Sequence, residues 1–288
     1  MYMYRGTIYN FRGVRKMVTD DSICNVPILD AFAFGARGLH LAQLFMRTDT
    51  VTLPAPTILR GFSWPPLFNG SFGESAFLKH HGNLMVPVHL QSRSTVSSTQ
   101  TADYVQEIRH FVQMLRNGTS LRGAYTFSAV VDRVHAEALA ASFDGLASAG
   151  GSRGWASSPS IYMSVGGAGP GLSFHEHEQA AALLLHGRKR WFLTYDRSDR
   201  GLPYESLLGV HGYGPMGLGS MRGWYEGWYR DNVAQWREHA WECVQEVGDV
   251  MVVPSGLLHG VVNLADDSDA NVLTLGVTAL GSFMVLPH

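Results

Sequence analysis

The stretch SFHEHEQAAALLLHGRKRWFL, residues 173 to 193, carries two histidines one residue apart, His175 and His177, then an apolar run and a basic cluster before an aromatic. Neutral imidazole is the commonest protein metal ligand. On an extended chain residues i and i+2 face the same side, so His175 and His177 can share one ion while Glu176 points away. Two imidazoles still need at least one ligand from elsewhere. The stretch GDVMVVPSGLLHGVVN, residues 248 to 263, offers it: Gly248-Asp249 reads as a tight turn, VMVV as a buried strand, Pro254-Ser255-Gly256 as a second turn, and His259 falls on the strand that follows. His186 and His135 stand alone and read as satisfied core residues. Lys189, one of only three lysines with Lys16 and Lys79, lies between Arg188 and Arg190. It is a candidate anchor for an anion, with a solvated residue in a basic turn as the plainer reading.

The elements that position these residues can be read in outline. APTILRGFSWPPLFNG has the texture of a strand leaving into a turn. TADYVQEIRHFVQMLRNGTS places Val105, Ile108, Val112 and Leu115 at helical spacing and stops at Asn117-Gly118, which predicts an amphipathic helix; SAVVDRVHAEALAASF predicts a second. From SIYMSVGG onward, short apolar runs separated by Gly, Pro and Asp suit a β-sandwich or closed barrel. Residues 211 to 241, rich in Gly and aromatics, read as an insertion between strands. Their Trp224, Tyr225, Trp228, Tyr229, Trp236 and Trp241 suit either a lid or peptide-facing rim, or, slightly preferred, the apolar back of a helix packed on the barrel or on a second subunit of a homodimer. The organisation expected is an N-terminal helical and strand extension over residues 1–120, packed on a barrel core over 121–288.

Composition excludes several classes. At 288 residues the chain can bury a sizeable core, and 22 Lys+Arg against 24 Asp+Glu give no basic surface for nucleic acid or a polybasic membrane patch. No apolar stretch reaches the length of a membrane span, and the N-terminus lacks the apolar segment of a secretory signal. The compartment stays open between cytoplasm, nucleus and, if a signal has been removed, the endoplasmic reticulum lumen. Cys24 and Cys243 make neither a disulfide scaffold nor a zinc ribbon, so two thiols are expected.

Taken together, the two histidine stretches match the paired motifs of the cupin superfamily. Gly169 precedes His175-x-His177 by the required five residues, and Gly248, Pro254, Gly256, His259 and Asn263 meet every position of G-x5-P-x-G-x2-H-x3-N. The glutamate that many small cupins place after the histidine pair is replaced by alanines, which points to three ligands rather than four. PTILRGF, VPVHL, FVQMLRNGTS, GAYTF and the two histidine stretches then follow in the order and spacing of JmjC (jumonji-C) oxygenases of the small, hydroxylase-like kind. The similarity covers roughly residues 55 to 280.

That resemblance implies a mainly β fold with flanking helices, a double-stranded β-helix (jelly roll). It implies Fe(II) held by His175, His177 and His259, and 2-oxoglutarate anchored through its far carboxylate by Lys189 with Tyr125 as a second contact. The implied reaction is hydroxylation of a protein side chain. Three departures accompany it. His177 stands where most active members carry Asp or Glu, which removes a negative charge from the ligand set; three-histidine sites also accept zinc, nickel or copper. Leu172 and Ala181 lie near positions where relatives often carry polar cosubstrate contacts, and Leu257-Leu258 stand where an aromatic pair often precedes the last histidine. Three readings therefore stand: a 2-oxoglutarate-dependent protein hydroxylase, a catalytically silent metal-stabilised module that binds a protein partner, and a small-molecule cupin enzyme with no cosubstrate. The hydroxylase alone requires the Lys189 ammonium to face the cavity.

Overall fold

The computed structural model describes residues 2–4, 7–9, 24–30, 55–60, 74–89, 104–117, 124–129, 160–177, 180–195, 221–264 and 273–280. In chain order its N-terminal elements are β1 (Tyr2–Tyr4), β2 (Thr7–Tyr9), β3 (Ile28–Asp30), β4 (Thr57–Arg60), α1 (Glu74–His81), β5 (Met85–Val88), β6 (Tyr104–Glu107) and α2 (Ile108–Arg116). Next come β7 (Tyr125–Ala129), β8 (Ser160–Gly166), β9 (Gly169–Pro170), β10 (Ala180–His186) and β11 (Arg188–Thr194). A short α3 (Met221–Gly223) widens into a π-helical stretch (Trp224–Tyr229), followed by α4 (Val233–His239), β12 (Trp241–Gln245), β13 (Val250–Val253), β14 (Leu258–Leu264) and β15 (Thr274–Leu280).

The protein is mainly β, with antiparallel sheets in an arrangement compatible with a β-sandwich. A seven-stranded sheet runs β3-β4-β13-β10-β15-β8-β7, antiparallel except for the β3–β4 pair, and a four-stranded sheet runs β12-β11-β14-β9. The chain changes sheets where β10 ends and β11 begins and again between β12 and β13. Both corners use a glycine at positive φ, Gly187 (77°) and Gly248 (87°), which side chains rarely adopt. At Gly187 a Cβ would also lie 2.8 Å from the Leu273 carbonyl oxygen. Parity along the strands then sorts the side chains. Ile58, Ala180, Ala182, Met251 and Val253 of the larger sheet share one buried cluster with Trp191, Leu193, Cys243 and Val261 of the smaller. This is the interior between the sheets, and period-2 alternation sends Lys189 to it and Arg190 away from it.

The outer face of the four-stranded sheet is covered by the insertion. Trp224, Tyr229 and Trp236 are buried against Phe192, Leu258, Val262 and Phe174, with Phe192 in edge-to-face contact with Trp224 at 4.9 Å. The aromatics thus back a helical segment onto the sheet rather than forming a rim; residues 211–220 lie outside the described residues. Gly260 leaves room for this packing, since a Cβ there would lie 3.0 Å from the Met221 sulfur.

Two sequence expectations are corrected. Cys24 and Cys243 are not thiols but a disulfide, 219 residues apart, and that separation gives no local signal. Backbone pairing brings them together: Asn25 N–H donates to the Glu242 carbonyl (3.0 Å), and its side chain bonds both Ala240 O (2.9 Å) and Glu242 N–H (2.7 Å). The helix predicted from Val105 starts instead at Ile108. Tyr104–Glu107 pairs with β5 as a strand, leaving Val105 60% exposed, while Ile108, Phe111, Val112 and Leu115 form the buried helical stripe. Carbonyls of Leu84 and Gly82 accept the first helical N–H groups at 2.9 Å, which fixes that boundary. Of the second predicted helix, Ser128 and Ala129 end β7, and the remainder, His135 included, lies outside the described residues. His186 is half-buried at an irregularity in the β10–β15 pairing. No helix among the described residues is long and apolar enough to cross a membrane.

Candidate metal centre

β14 is the spine of the site. Its neighbour is the segment 169–177, a two-residue β9 followed by a single antiparallel bridge between His175 and His259, rather than the continuous strand expected. The bridge is closed by His175 N–H to His259 O (3.0 Å) and His259 N–H to His175 O (2.9 Å). One bridge is enough to put the two side chains on the same side of the ladder. His177 is held by its own carbonyl, which accepts the Gly256 N–H at 3.1 Å from the Pro254-Ser255-Gly256 turn.

The three rings converge. Centroids are 4.2 Å apart for His175–His259, 4.6 Å for His177–His259 and 5.2 Å for His175–His177, and one ring nitrogen from each lies within 4.8 Å of the others. Nδ1 of His175 lies 2.7 Å from Ser173 O, and Nδ1 of His259 lies 2.8 Å from Leu257 O. A carbonyl can only accept, so each Nδ1 carries the proton and each Nε2 keeps a lone pair. Burial, and then the charge of His177, pushes His175 down to about 4; burial, and then the charges of His175 and His177, hold His259 well below the usual range. Both are neutral at neutral pH, the form a metal binds. Trp191 stacks obliquely near His259, at 6.0 Å, and is locked by Nε1–H to Gln245 Oε1 (2.8 Å). Gln245 in turn donates to the carbonyls of Ala182 and Asp249, 2.8 Å each, so the wall beside the histidines is rigid. The three histidines can hold a metal ion, and the donor set they make, with the preset tautomers and neutral state of His175 and His259, fits one.

They line a cleft of about 580 Å³, counting the space open to solvent, that lies between the two sheets. Lys189 and Tyr125 line the same cleft. Lys189 Nζ donates to Ser164 Oγ (2.7 Å), across from one sheet to the other, and burial lowers its pKa to about 8. Lys189 is therefore not a solvated residue in a basic turn, and its neighbours point elsewhere: Arg188 pairs with the half-exposed Glu246 at 3.2 Å, and Arg190 turns to the outer face. Tyr125 stacks on His89, 5.6 Å between ring centroids, and is itself almost fully buried. Leu172 lines the cleft; Ala181 lies on the opposite face of β10 from Ala180, which does. No Asp or Glu among the described residues lines it.

Sequence reasoning missed Ser164, Gly276 and Gln245. The only signal for Ser164 was its parity in SIYMSVGG, and nothing local says that this strand crosses the cleft from Lys189. No protein-family model matches the chain, and no curated protein matches it either.

Proposed function

We propose that the protein is a metal-dependent JmjC-like dioxygenase of double-stranded β-helix fold that uses 2-oxoglutarate to hydroxylate a protein side chain. The observation that carries the reading is the placement of a buried ammonium, Lys189, in the same cleft as three converging histidines, with no carboxylate among the described residues that line it. A buried cation without a carboxylate partner is costly, and a bound dicarboxylate relieves that cost where water is excluded. His175, His177 and His259 would hold Fe(II), which when bound supplies dioxygen activation coupled to decarboxylation of 2-oxoglutarate. The chain's own residues do the rest. The Ser173 and Leu257 carbonyls hold the proton on Nδ1 of His175 and His259, which leaves the Nε2 lone pair of each for an ion. Trp191, Val253 and Val261 give the cleft an apolar lining that would exclude water, and Lys189 with Tyr125 would bind the far carboxylate. That the substrate is a protein side chain rests on the resemblance to JmjC hydroxylases.

One observation favours a second reading, a catalytically silent metal-stabilised module that acts by binding a protein partner. His177 replaces the carboxylate of most active relatives, so the ligand set carries no negative charge to balance a divalent ion. Calorimetric titration of 2-oxoglutarate into anaerobic, Fe(II)-loaded protein separates the two. Saturable binding that Lys189→Ala abolishes supports the oxygenase; no binding to fully iron-loaded protein overturns it and leaves the module.

A further inference from the structure

The Lys189 side chain is long, and a flexible four-carbon stem by itself does not fix where an ammonium sits. Two residues of the opposite sheet do. Ser164 on β8 and Gly276 on β15 are register partners, directly facing each other across the ladder. Ser164 Oγ donates its single proton to the Gly276 carbonyl (3.3 Å), which leaves a lone pair for Lys189 Nζ at 2.7 Å. Gly276 supplies the space: a Cβ there would lie 3.1 Å from Nζ, 3.0 Å from Ser164 Oγ and 3.0 Å from the Leu183 carbonyl. Ser164 is the one hydrogen-bond partner of the ammonium among the described residues, so two of its three N–H groups remain for the two oxygens of a carboxylate.

From this geometry we infer that Ser164 and Gly276 are positioning residues that hold the Lys189 ammonium at the carboxylate end of the cleft, one by hydrogen bonding it and the other by leaving room for it. The inference deepens the 2-oxoglutarate reading and rests on it for the identity of the ligand. The polar groups that line the cleft with it, among the described residues, are Tyr125 from β7, Asn263 from β14, Thr274 and Thr278 from β15, and the three histidines, and the neutral Gln245 is its register partner on β12. None of these is a carboxylate, so among the described residues the Ser164 hydroxyl is the group placed to favour the charged form of the amine.

Two measurements on the full chain test it. In the first, the amine of Lys189 is titrated by NMR in metal-loaded protein without ligand, on both sides of pH 8. Ser164→Ala is expected to lower the midpoint and Ser164→Thr, which keeps a hydroxyl, to leave it near wild type. In the second, 2-oxoglutarate is titrated calorimetrically over the same range. Ser164→Ala is expected to weaken binding about tenfold, the order of a lost hydrogen bond to a charge, and to move the alkaline loss of binding to lower pH. Gly276→Ala, checked for unchanged metal content, is expected to weaken binding as well. An unshifted midpoint together with wild-type affinity in Ser164→Ala overturns the inference. A shifted midpoint in a protein that binds no 2-oxoglutarate supports the positioning and overturns the proposed cosubstrate instead.

Discussion

Lys189 and Arg190 are adjacent in sequence, lie on opposite faces of the same strand, and meet opposite fates. Arg190 faces outward into a completed network. Its guanidinium pairs with the fully buried Glu242 carboxylate and donates to the hydroxyls of Tyr229 (2.9 Å) and Tyr225 (3.3 Å), while Tyr229 also donates to Glu242 (2.9 Å). Burial, and then the Glu242 carboxylate, holds the Tyr229 phenol well above its ordinary range, so it remains a donor. Every charge there has a protein partner, and the result fastens the insertion to the sheet. Lys189 faces inward to a hydroxyl and an open cleft. The difference teaches how to separate architecture from function among buried charges: a closed set of partners holds the fold, and an open one receives a ligand.

Breaking the outer network has the largest expected effect. Arg190→Met leaves Glu242 buried with Tyr229 and the more distant Arg237 at 3.6 Å as its remaining side-chain partners among the described residues, and should cost about 3–5 kcal/mol in denaturant unfolding. Metal affinity of the folded fraction should stay unchanged. Next in size is metal linkage. Zinc or Fe(II) at a hundred times its dissociation constant should raise stability by about 2.7 kcal/mol, and a chelator should reverse it. His177→Ala should remove most of that gain while leaving metal-free stability nearly intact; an equal gain in this variant breaks the three-ligand assignment.

Removing the inner cation should do the reverse of removing the outer one. Lys189→Met takes away a buried charge that has no counter-ion among the described residues, so its unfolding free energy should rise, by on the order of 1 kcal/mol, while 2-oxoglutarate binding disappears. The pH dependence at this position is the sharpest prediction. The unfolded lysine keeps its proton up to 10.5, whereas the folded one loses it from about 8. Between those values the unfolded chain binds more protons, so the stability contributed at this site increases with pH across the window. Comparing unfolding curves of wild type and Lys189→Met at several pH values should show that rise only in wild type.

What could be read from the sequence follows from how local its causes are. The Gly248 turn, the buried strand after it and the placement of His259 rest on residues within one turn and two strands, and all stand as expected. The alternation that puts His175 and His177 on one side depends only on an extended backbone, and it survives although the continuous strand does not. Val105 shows the limit. Its spacing to Ile108 fits a helix, but pairing of Pro87 with Val105 across β5 and β6 turns that residue into strand and exposes it. Ser164 was hidden for the same kind of reason: it meets Lys189 only because the two sheets face each other. Lys189 itself was legible as a candidate, and its inward orientation follows from strand parity once β11 begins at Arg188.

The Cys24–Cys243 bond has a consequence of its own. It closes 219 residues of separation into one covalent ring, and in the chain-entropy account a loop of that size removes about 5 kcal/mol of disorder from the unfolded state. A protease that cuts once anywhere inside the ring therefore leaves a single molecule. On a denaturing gel the nicked protein runs as one species until a reductant is added, and only then separates into two fragments.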